Sequence, residues 1–203
     1  MKNNALIIFT RNPQLGKVKT RLAESIGEEK ALEIYRALLE HTQSITLNLD
    51  CDKFVFYDQN IENNDIWLES VYDKKLQFGV DLGAKMQNAF NQLFELGYKN
   101  CIIIGSDIFD FKDFHIQDAF YKLQFSDVVI GPAEDGGYYL LGIKKEIPSI
   151  FKNKDWGYST VLSETLIDLV NYKIDFLEVL NDIDTIEDLE KSKHFQLLKI
   201  FKV

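Results

Sequence analysis

The sequence predicts an α/β fold: a mostly parallel sheet covered on both faces by helices, three layers in all. Two observations carry this prediction. Short continuous apolar runs, such as 5–9 (Ala-Leu-Ile-Ile-Phe) and 101–104 (Cys-Ile-Ile-Ile), stop abruptly at turn-forming residues, the pattern of strands buried on both faces. Between such runs lie segments whose apolar residues recur at helical spacing, so strands and helices alternate along the whole length. A third observation bounds the answer. With 203 residues, 46% hydrophobic and 27% charged, and only 3 Pro and 11 Gly, the chain suits one globular domain over 1–203 and excludes collagen-like, linker-like and disordered classes.

Strand 5–9 comes first. A loop over 11–19, marked by Pro13 and Gly16, leads into 22–47, where Ala31, Ile34, Tyr35, Leu38 and Ile45 keep a helical stripe through one or two helices. Residues 53–57 form the second strand, and 75–79 read as a third. Asp81 is placed to cap a helix whose Leu82, Met86, Ala89, Phe90 and Leu93 share one face, and Gly97 stops it. The strand 101–104 breaks at Gly105-Ser106-Asp107. Then 114–125 is helical, 127–130 extended, and 138–143 a strand behind a Gly136-Gly137 turn. Last come a helix over 159–170, an extended 174–179, and a helix over 185–193 with Thr185 and Asp188 in capping-box relation.

Charge narrows the function classes. The net charge of -9 repels polyanions, so no nucleic-acid partner is expected, although a local basic cluster can still hold small anions. Only five apolar or small residues precede Thr10 and Arg11, unlike a secretory signal, and no run approaches the ~20 apolar residues of a membrane span. A cytoplasmic protein is the expectation. Cys51 and Cys101 share no metal-ligand spacing and read as small buried residues. His41, His115 and His194 have no partner at catalytic or metal spacing, which favours surface or capping roles.

In parallel sheets ligands bind outside the carboxyl ends of the strands, so the residues just after each apolar run are the candidates. The loop "TRNPQLGKVKTRL" sets Arg11, Lys17, Lys19 and Arg21 within eleven residues free of acids, a suitable cradle for phosphate groups. It is not a Walker loop, because Val18 follows Gly16-Lys17. In "IIIGSDIFDF", Asp107 with Asp110 suits a divalent cation, or else Asp107 makes an Asx-turn or caps the next helix. In "NDIDTIEDL", Asp182 and Asp184 precede a helix, where the dipole alone accounts for an acid. In "GPAEDGGYYLLG", Asp135-Gly136-Gly137 is a turn or a place of close ligand approach, with Tyr138 or Tyr139 able to stack. Trp156-Gly157-Tyr158-Ser159-Thr160 reads as a core anchor with a helix cap or as part of a site.

Taken together, "FTRNPQLGKVKTRL", "DLGAKM", "GSD", "GPAEDGGYYLLG", a Trp followed by Ser-Thr, and "DIDTIEDL" resemble the bacterial DUF2064 family over about residues 6–189. That family is similar to 2-phospholactate guanylyltransferase and, more distantly, to nucleotide-diphospho-sugar transferases of the GT-A fold. The resemblance implies a Rossmann-like mixed sheet, a divalent Mg²⁺ or Mn²⁺, and a nucleoside triphosphate or nucleotide-sugar donor. It makes Asp107 and Asp184 the metal ligands, with Asp182 in reserve, and Arg11, Gly16, Lys17, Lys19 and Arg21 the nucleotide-binding set. Asp107, Lys17 and Arg21 would act in catalysis, and Asp135, Gly136, Gly137, Tyr138 and Trp156 would line the acceptor side. The implied reaction is nucleotidyl transfer to a small phosphorylated acceptor, or alternatively glycosyl transfer. Where relatives read Gly-Ser-Asp-x-Pro this chain has Ile108-Phe109, which admits a third reading, a nucleotide-binding module without turnover.

Overall fold

The structure, a computed structural model, describes residues 3–192. Among these residues seven strands form one sheet in the order β3-β2-β1-β4-β6-β5-β7. They are β1 (Asn4–Thr10), β2 (Asp52–Tyr57), β3 (Tyr72–Leu76), β4 (Asn100–Ile104), β5 (Val128–Pro132), β6 (Tyr138–Ile143) and β7 (Ile174–Phe176). Among the described residues the helices are α1 (Thr20–Ile26), α2 (Glu28–Thr46), α3 (Leu82–Glu95), α4 (Asp113–Lys122), α5 (Val161–Asp168) and α6 (Ile186–Lys191), with a 3₁₀ turn over Pro148–Phe151. The sheet is mostly parallel, as expected. β6 alone among these strands runs antiparallel, pairing with β4 and β5 in that sense.

Alternation along the central strands divides the core into two faces. Leu6, Ile8, Ile102 and Ile104 pack with Tyr35 and Leu39 of α2 and Ile116 and Ala119 of α4. Ala5, Ile7, Cys101 and Ile103 pack with Met86, Phe90 and Leu93 of α3 on the other side. A third, smaller cluster (Leu22, Ala31, Ile34, Leu38, Phe109, Ile183 and Leu189) ties α1, α2 and α6 to the segment after β4.

Most predicted elements lie where their patterns place them. Asp81 caps α3 by accepting from Ala84 N–H at 2.7 Å, and Gly97 follows the helix at φ 91°. The segment 22–47 resolves into two helices that meet at Gly27, φ 88°. Thr185 and Asp188 form the expected capping box; Lys193 and His194 lie outside the described residues.

The third strand departs from expectation. It spans Tyr72–Leu76 and not 75–79. Only Tyr72 in it is buried, and the Asp73-Lys74-Lys75 run that follows suits a charged sheet edge, so the strand has no apolar signature. Phe78 and Val80, which draw the eye in the sequence, are instead 77% and 97% exposed. His115 is buried, and its ring caps α4 by accepting from Lys112 N–H at 2.9 Å.

The chain order makes β1 and β4 adjacent although ninety residues of sequence separate their ends. From β1 the chain winds to β2 and β3 on one side, then crosses back to β4 on the other. That reversal is the switch point at which doubly wound sheets open a crevice. Because β6 runs antiparallel, its first residues, Tyr138 and Tyr139, meet the carboxyl end of β4: Gly105 N–H donates to Tyr139 O at 3.2 Å.

Candidate active site

The loop after β1 is held from both ends. Tyr35 on α2 accepts from Arg11 N–H at 2.9 Å and donates to Arg11 O at 3.1 Å. The buried Asn12 ties the loop to the segment after β2, accepting from Gln59 and Asn60 N–H and donating to Asn60 O. At the far end Val18 and Leu22 are buried and Lys19 adopts a left-handed backbone at φ 48°. A lysine in that conformation is strained by roughly 1–2 kcal/mol, and such residues cluster at functional sites.

The strain accompanies a specific contact. The Lys19 side chain, only 5% exposed, places Nζ 3.2 Å from Asp107 Oδ1 and 3.0 Å from Asp184 Oδ1. Two carboxylates far apart in the sequence therefore converge on one nitrogen. The backbone enforces the convergence, because Ile183 N–H donates to Asp107 O at 2.9 Å. Phe109 and Ile183, both buried, lock it into the third apolar cluster, so large apolar side chains anchor the loop after Asp107. Asp184 lies just ahead of the α6 capping box, and its N–H donates to Asp188 Oδ2 at 3.3 Å.

Electrostatics follow this geometry. Burial acts against the Lys19 ammonium, but Asp107 and Asp184 outweigh it and hold the group above its ordinary range. Burial pushes the Asp184 carboxyl up, yet Lys19, then Arg21 and Arg11, hold it below the usual value. Arg21 Nη1 lies 3.9 Å from Asp184 Oδ2. Asp182 behaves oppositely: burial first, then Asp135 and Asp184, push its carboxyl up to about 6.

Two cavities meet at Asp107 and Asp184. The larger, of about 700 Å³, opens at the β1/β4 switch point and takes Arg11, Lys19, Arg21 and Lys85 into its wall. The smaller, of about 300 Å³, is lined by Tyr138, Tyr139, Trp156 and Tyr158 with Asp135 and Asp182. The cationic groups thus lie on one side of the carboxylate pair, and Trp156 and Tyr158 on the other, with Tyr138 and Tyr139 shared between the two cavities.

The expected residues divide accordingly. Arg11, Lys19, Arg21, Asp107 and Asp184 come together; Asp135, Gly137, Tyr138 and Trp156 line the smaller cavity. Lys17 is exposed, and neither it nor Gly16 lines the cleft. Gly136 lines neither cavity. Its φ of 89° and a Cβ position that would collide with Ser159 O show it to be a packing glycine that lets the 156–159 segment lie against the turn. Tyr138 presents its ring, since its hydroxyl is buried. Asp110 lines neither cavity. Sequence reasoning missed Lys85, although it stands within "DLGAKM", and Gln77, whose Nε2 donates to Thr10 O and Phe56 O across the ends of β1 and β2. No helix among the described residues is long and apolar enough to cross a membrane.

The chain is similar over most of its length to several known proteins. The 2-phospho-L-lactate guanylyltransferase of Methanocaldococcus vulcanius is 29% identical over 194 residues, covering 91% of this chain and 82% of the relative. A crystal structure from Desulfovibrio desulfuricans G20, provisionally described as a nucleotide-diphospho-sugar transferase, superposes with a TM-score of 0.90 at 31% identity and covers 100% of this chain and 96% of the other. The 4-diphosphocytidyl-2C-methyl-D-erythritol synthase of Anaerococcus prevotii shares the fold at a TM-score of 0.64 and 13% identity, with 97% and 96% covered. By their names the first two are transferases, and the mixed sheet is that of nucleotide-diphospho-sugar transferases. Residues 41–158, more than half of the chain, match the family described as an uncharacterized protein conserved in bacteria, and the chain belongs to that family, DUF2064.

Proposed function

We propose that the protein is a nucleotidyltransferase that moves a nucleoside monophosphate from a nucleoside triphosphate to a small phosphorylated acceptor. One observation carries the reading: Asp107 and Asp184 converge on Lys19 at the wall shared by a cationic cleft and an aromatic cavity. Arg11, Arg21 and Lys85 in the cleft suit a triphosphate, which carries more charge to neutralise than a sugar nucleotide. The guanylyltransferase relative supports the same assignment.

The donor set at the carboxylate pair fits Mg²⁺ or Mn²⁺. Two hard oxygen ligands already grip a cationic group within 3.2 Å, and such ions are commonly held by one or two carboxylates with substrate phosphates completing the shell. Asp107 and Asp184 would hold the ion. Among the described residues no group of three metal-ligating side chains occurs, which leaves the remaining positions to phosphate and water. When bound, the ion supplies Lewis-acid withdrawal of charge from the phosphorus and stabilises the leaving pyrophosphate.

The chain's own residues do the rest. An acceptor phosphate oxygen attacks the α-phosphorus; its new P–O bond forms as the bond to the β-phosphate oxygen breaks, and pyrophosphate leaves with that electron pair. Arg11, Arg21 and Lys85 counter the charge that develops on the phosphates, and Lys19 keeps the two carboxylates in register. No covalent enzyme intermediate is required. The test is pyrophosphate release from each of the four triphosphates with Mn²⁺ and a panel of phosphorylated acceptors. Release that depends on an acceptor supports the proposal, and silence across the panel refutes it.

Glycosyl transfer is the second reading. Trp156 in the smaller cavity suits stacking on a sugar ring, and the Desulfovibrio structure carries a sugar-transferase description. Hydrolysis of nucleotide sugars without any turnover of triphosphates would favour it.

A further inference from the structure

The smaller cavity has a charge pattern that phosphoryl chemistry does not demand. Asp135 and Asp182 line it, and among the described residues no lysine, arginine or histidine does. The backbone brings these two side chains together. Ala133 and Leu180 form a parallel bridge, and Glu134 N–H donates to Leu180 O at 3.0 Å, so the next residues of the two segments run on side by side. One Asp135 oxygen accepts from Gly137 N–H at 2.8 Å, while the other makes no hydrogen bond within that turn. Lys19 compensates Asp107 and Asp184, but neither Asp135 nor Asp182 has an ion-pair partner among the described residues.

Two neighbouring carboxylates repel each other, and Lys19, already shared by Asp107 and Asp184, offsets Asp182 only in part, so a cation entering the cavity is favoured and an anion is penalised. The remaining wall decides which cation. Trp156 and Tyr158 bring aromatic rings to the same space, and Tyr158 is 70% exposed. Ring faces attract ammonium groups. A compact Mg²⁺ prefers a tight octahedron of oxygens and gains little from rings around about 300 Å³. An organic ammonium satisfies both the carboxylates and the rings.

We propose, resting on the nucleotidyl-transfer reading, that the acceptor is a phosphomonoester carrying an ammonium group. Its phosphate meets the donor at the wall formed by Asp107 and Asp184, and its ammonium seats between Asp135 and Asp182 against Trp156 and Tyr158. The same charges exclude an acceptor with a carboxylate, so the acceptor differs in kind from the phospholactate named for the Methanocaldococcus relative.

Three two-carbon phosphomonoesters that differ in the terminal group test this: phosphoethanolamine, ethyl phosphate and 2-phosphoglycolate. Each is titrated calorimetrically into the full chain with Mn²⁺ and a non-hydrolysable triphosphate analogue. Phosphoethanolamine is expected to bind roughly ten- to a hundredfold more tightly than ethyl phosphate, as a charge-assisted contact gives, with phosphoglycolate weakest. In the D135N/D182N variant that preference should fall to about one. Equal or tighter binding of ethyl phosphate or phosphoglycolate, no binding of any probe, or a preference that survives in the variant each overturns the proposal. So does a second Mn²⁺ site, seen without other ligands, that the variant loses. If the double variant does not fold, the wild-type series decides alone and D182N serves as the second protein. Turnover with a carboxylate-bearing acceptor would sink this inference and spare the transfer reading. Ammonium preference without pyrophosphate release from any triphosphate would do the reverse.

Discussion

Replacing Lys19 by Met retains most of the buried stem and removes the charge that Asp107 and Asp184 share. Two charge-assisted contacts, at 3.2 and 3.0 Å, are lost. Each is worth about 1.5–3 kcal/mol when fully desolvated. Both carboxylates keep 44% of their side-chain surface in water, which re-solvates and screens them and takes off a good part of that loss. A net destabilisation of about 2 kcal/mol remains, or about 4–8 °C in Tm for a domain of this size. The left-handed backbone strain is common to both proteins, since Met gains no relief there. Differential scanning calorimetry in a chelator should show the drop, and Mn²⁺ should restore more stability to Lys19→Met than it adds to the parent, because the ion takes the place of the ammonium. The sign with pH is fixed. Asp184 is held below its ordinary 3.8, so its share is present above that pH and is lost as pH falls through the lower folded value. Lys19 is held above its ordinary 10.5, so its share is present below that pH and is lost only as pH rises through the higher folded value. The difference between the two proteins is therefore flat from about pH 4 to about pH 10 and closes beyond both ends. An unchanged melting temperature in chelator, or equal stabilisation of both proteins by Mn²⁺, would refute the shared-cation geometry.

Other perturbations separate the roles of individual residues. Asp107→Asn should fold normally by circular dichroism and lose at least about a hundredfold in metal-dependent turnover, as removal of a preorganised charge does; full activity would remove Asp107 from the site. Arg21→Ala and Lys85→Ala should each weaken triphosphate binding about tenfold in a fluorescence titration, whereas Lys17→Ala, outside the cleft wall, should change it less than about threefold. Gly136→Ala meets both a positive φ and the Ser159 carbonyl and should cost about 1–3 kcal/mol in thermal unfolding, with a change in Trp156 fluorescence as the 156–159 segment shifts. Burial pushes the Cys51 and Cys101 thiols up to about 12, so neither should react with a thiol-specific reagent at pH 8 until the protein unfolds.

Much of this molecule is legible in one dimension. The runs at 5–9 and 101–104 announce strands because a strand covered on both faces must be apolar throughout, and the Leu82-to-Leu93 stripe announces α3 because one helical face must meet the sheet. The Thr185/Asp188 box and the Asp81 cap are equally local, each a side chain answering backbone donors within three residues. β3 escapes because an edge strand needs little burial: one Tyr followed by charges looks like a loop in sequence.

The site divides along the same line. Residue type and position mark Asp107 and the basic loop as candidates, since acids and cations after buried strands lie at the open end of a parallel sheet, whereas Asp184, ahead of a helix whose dipole alone accounts for an acid, enters through the family resemblance. Whether Lys19 points at phosphate or at the two aspartates is settled elsewhere, by the Ile183–Asp107 backbone bond and the packing of Phe109 against Ile183. Likewise the division into a cationic cleft and an acidic cavity walled by Trp156 and Tyr158 depends on β1 lying beside β4, on β6 running backwards to bring Tyr138 to that end, and on the 156–159 segment lying against the Gly136 turn. Patterns of hydropathy and capping record what each residue does with its near neighbours. Strand order is a pairing of segments scores of residues apart, and no periodicity within either segment encodes its partner.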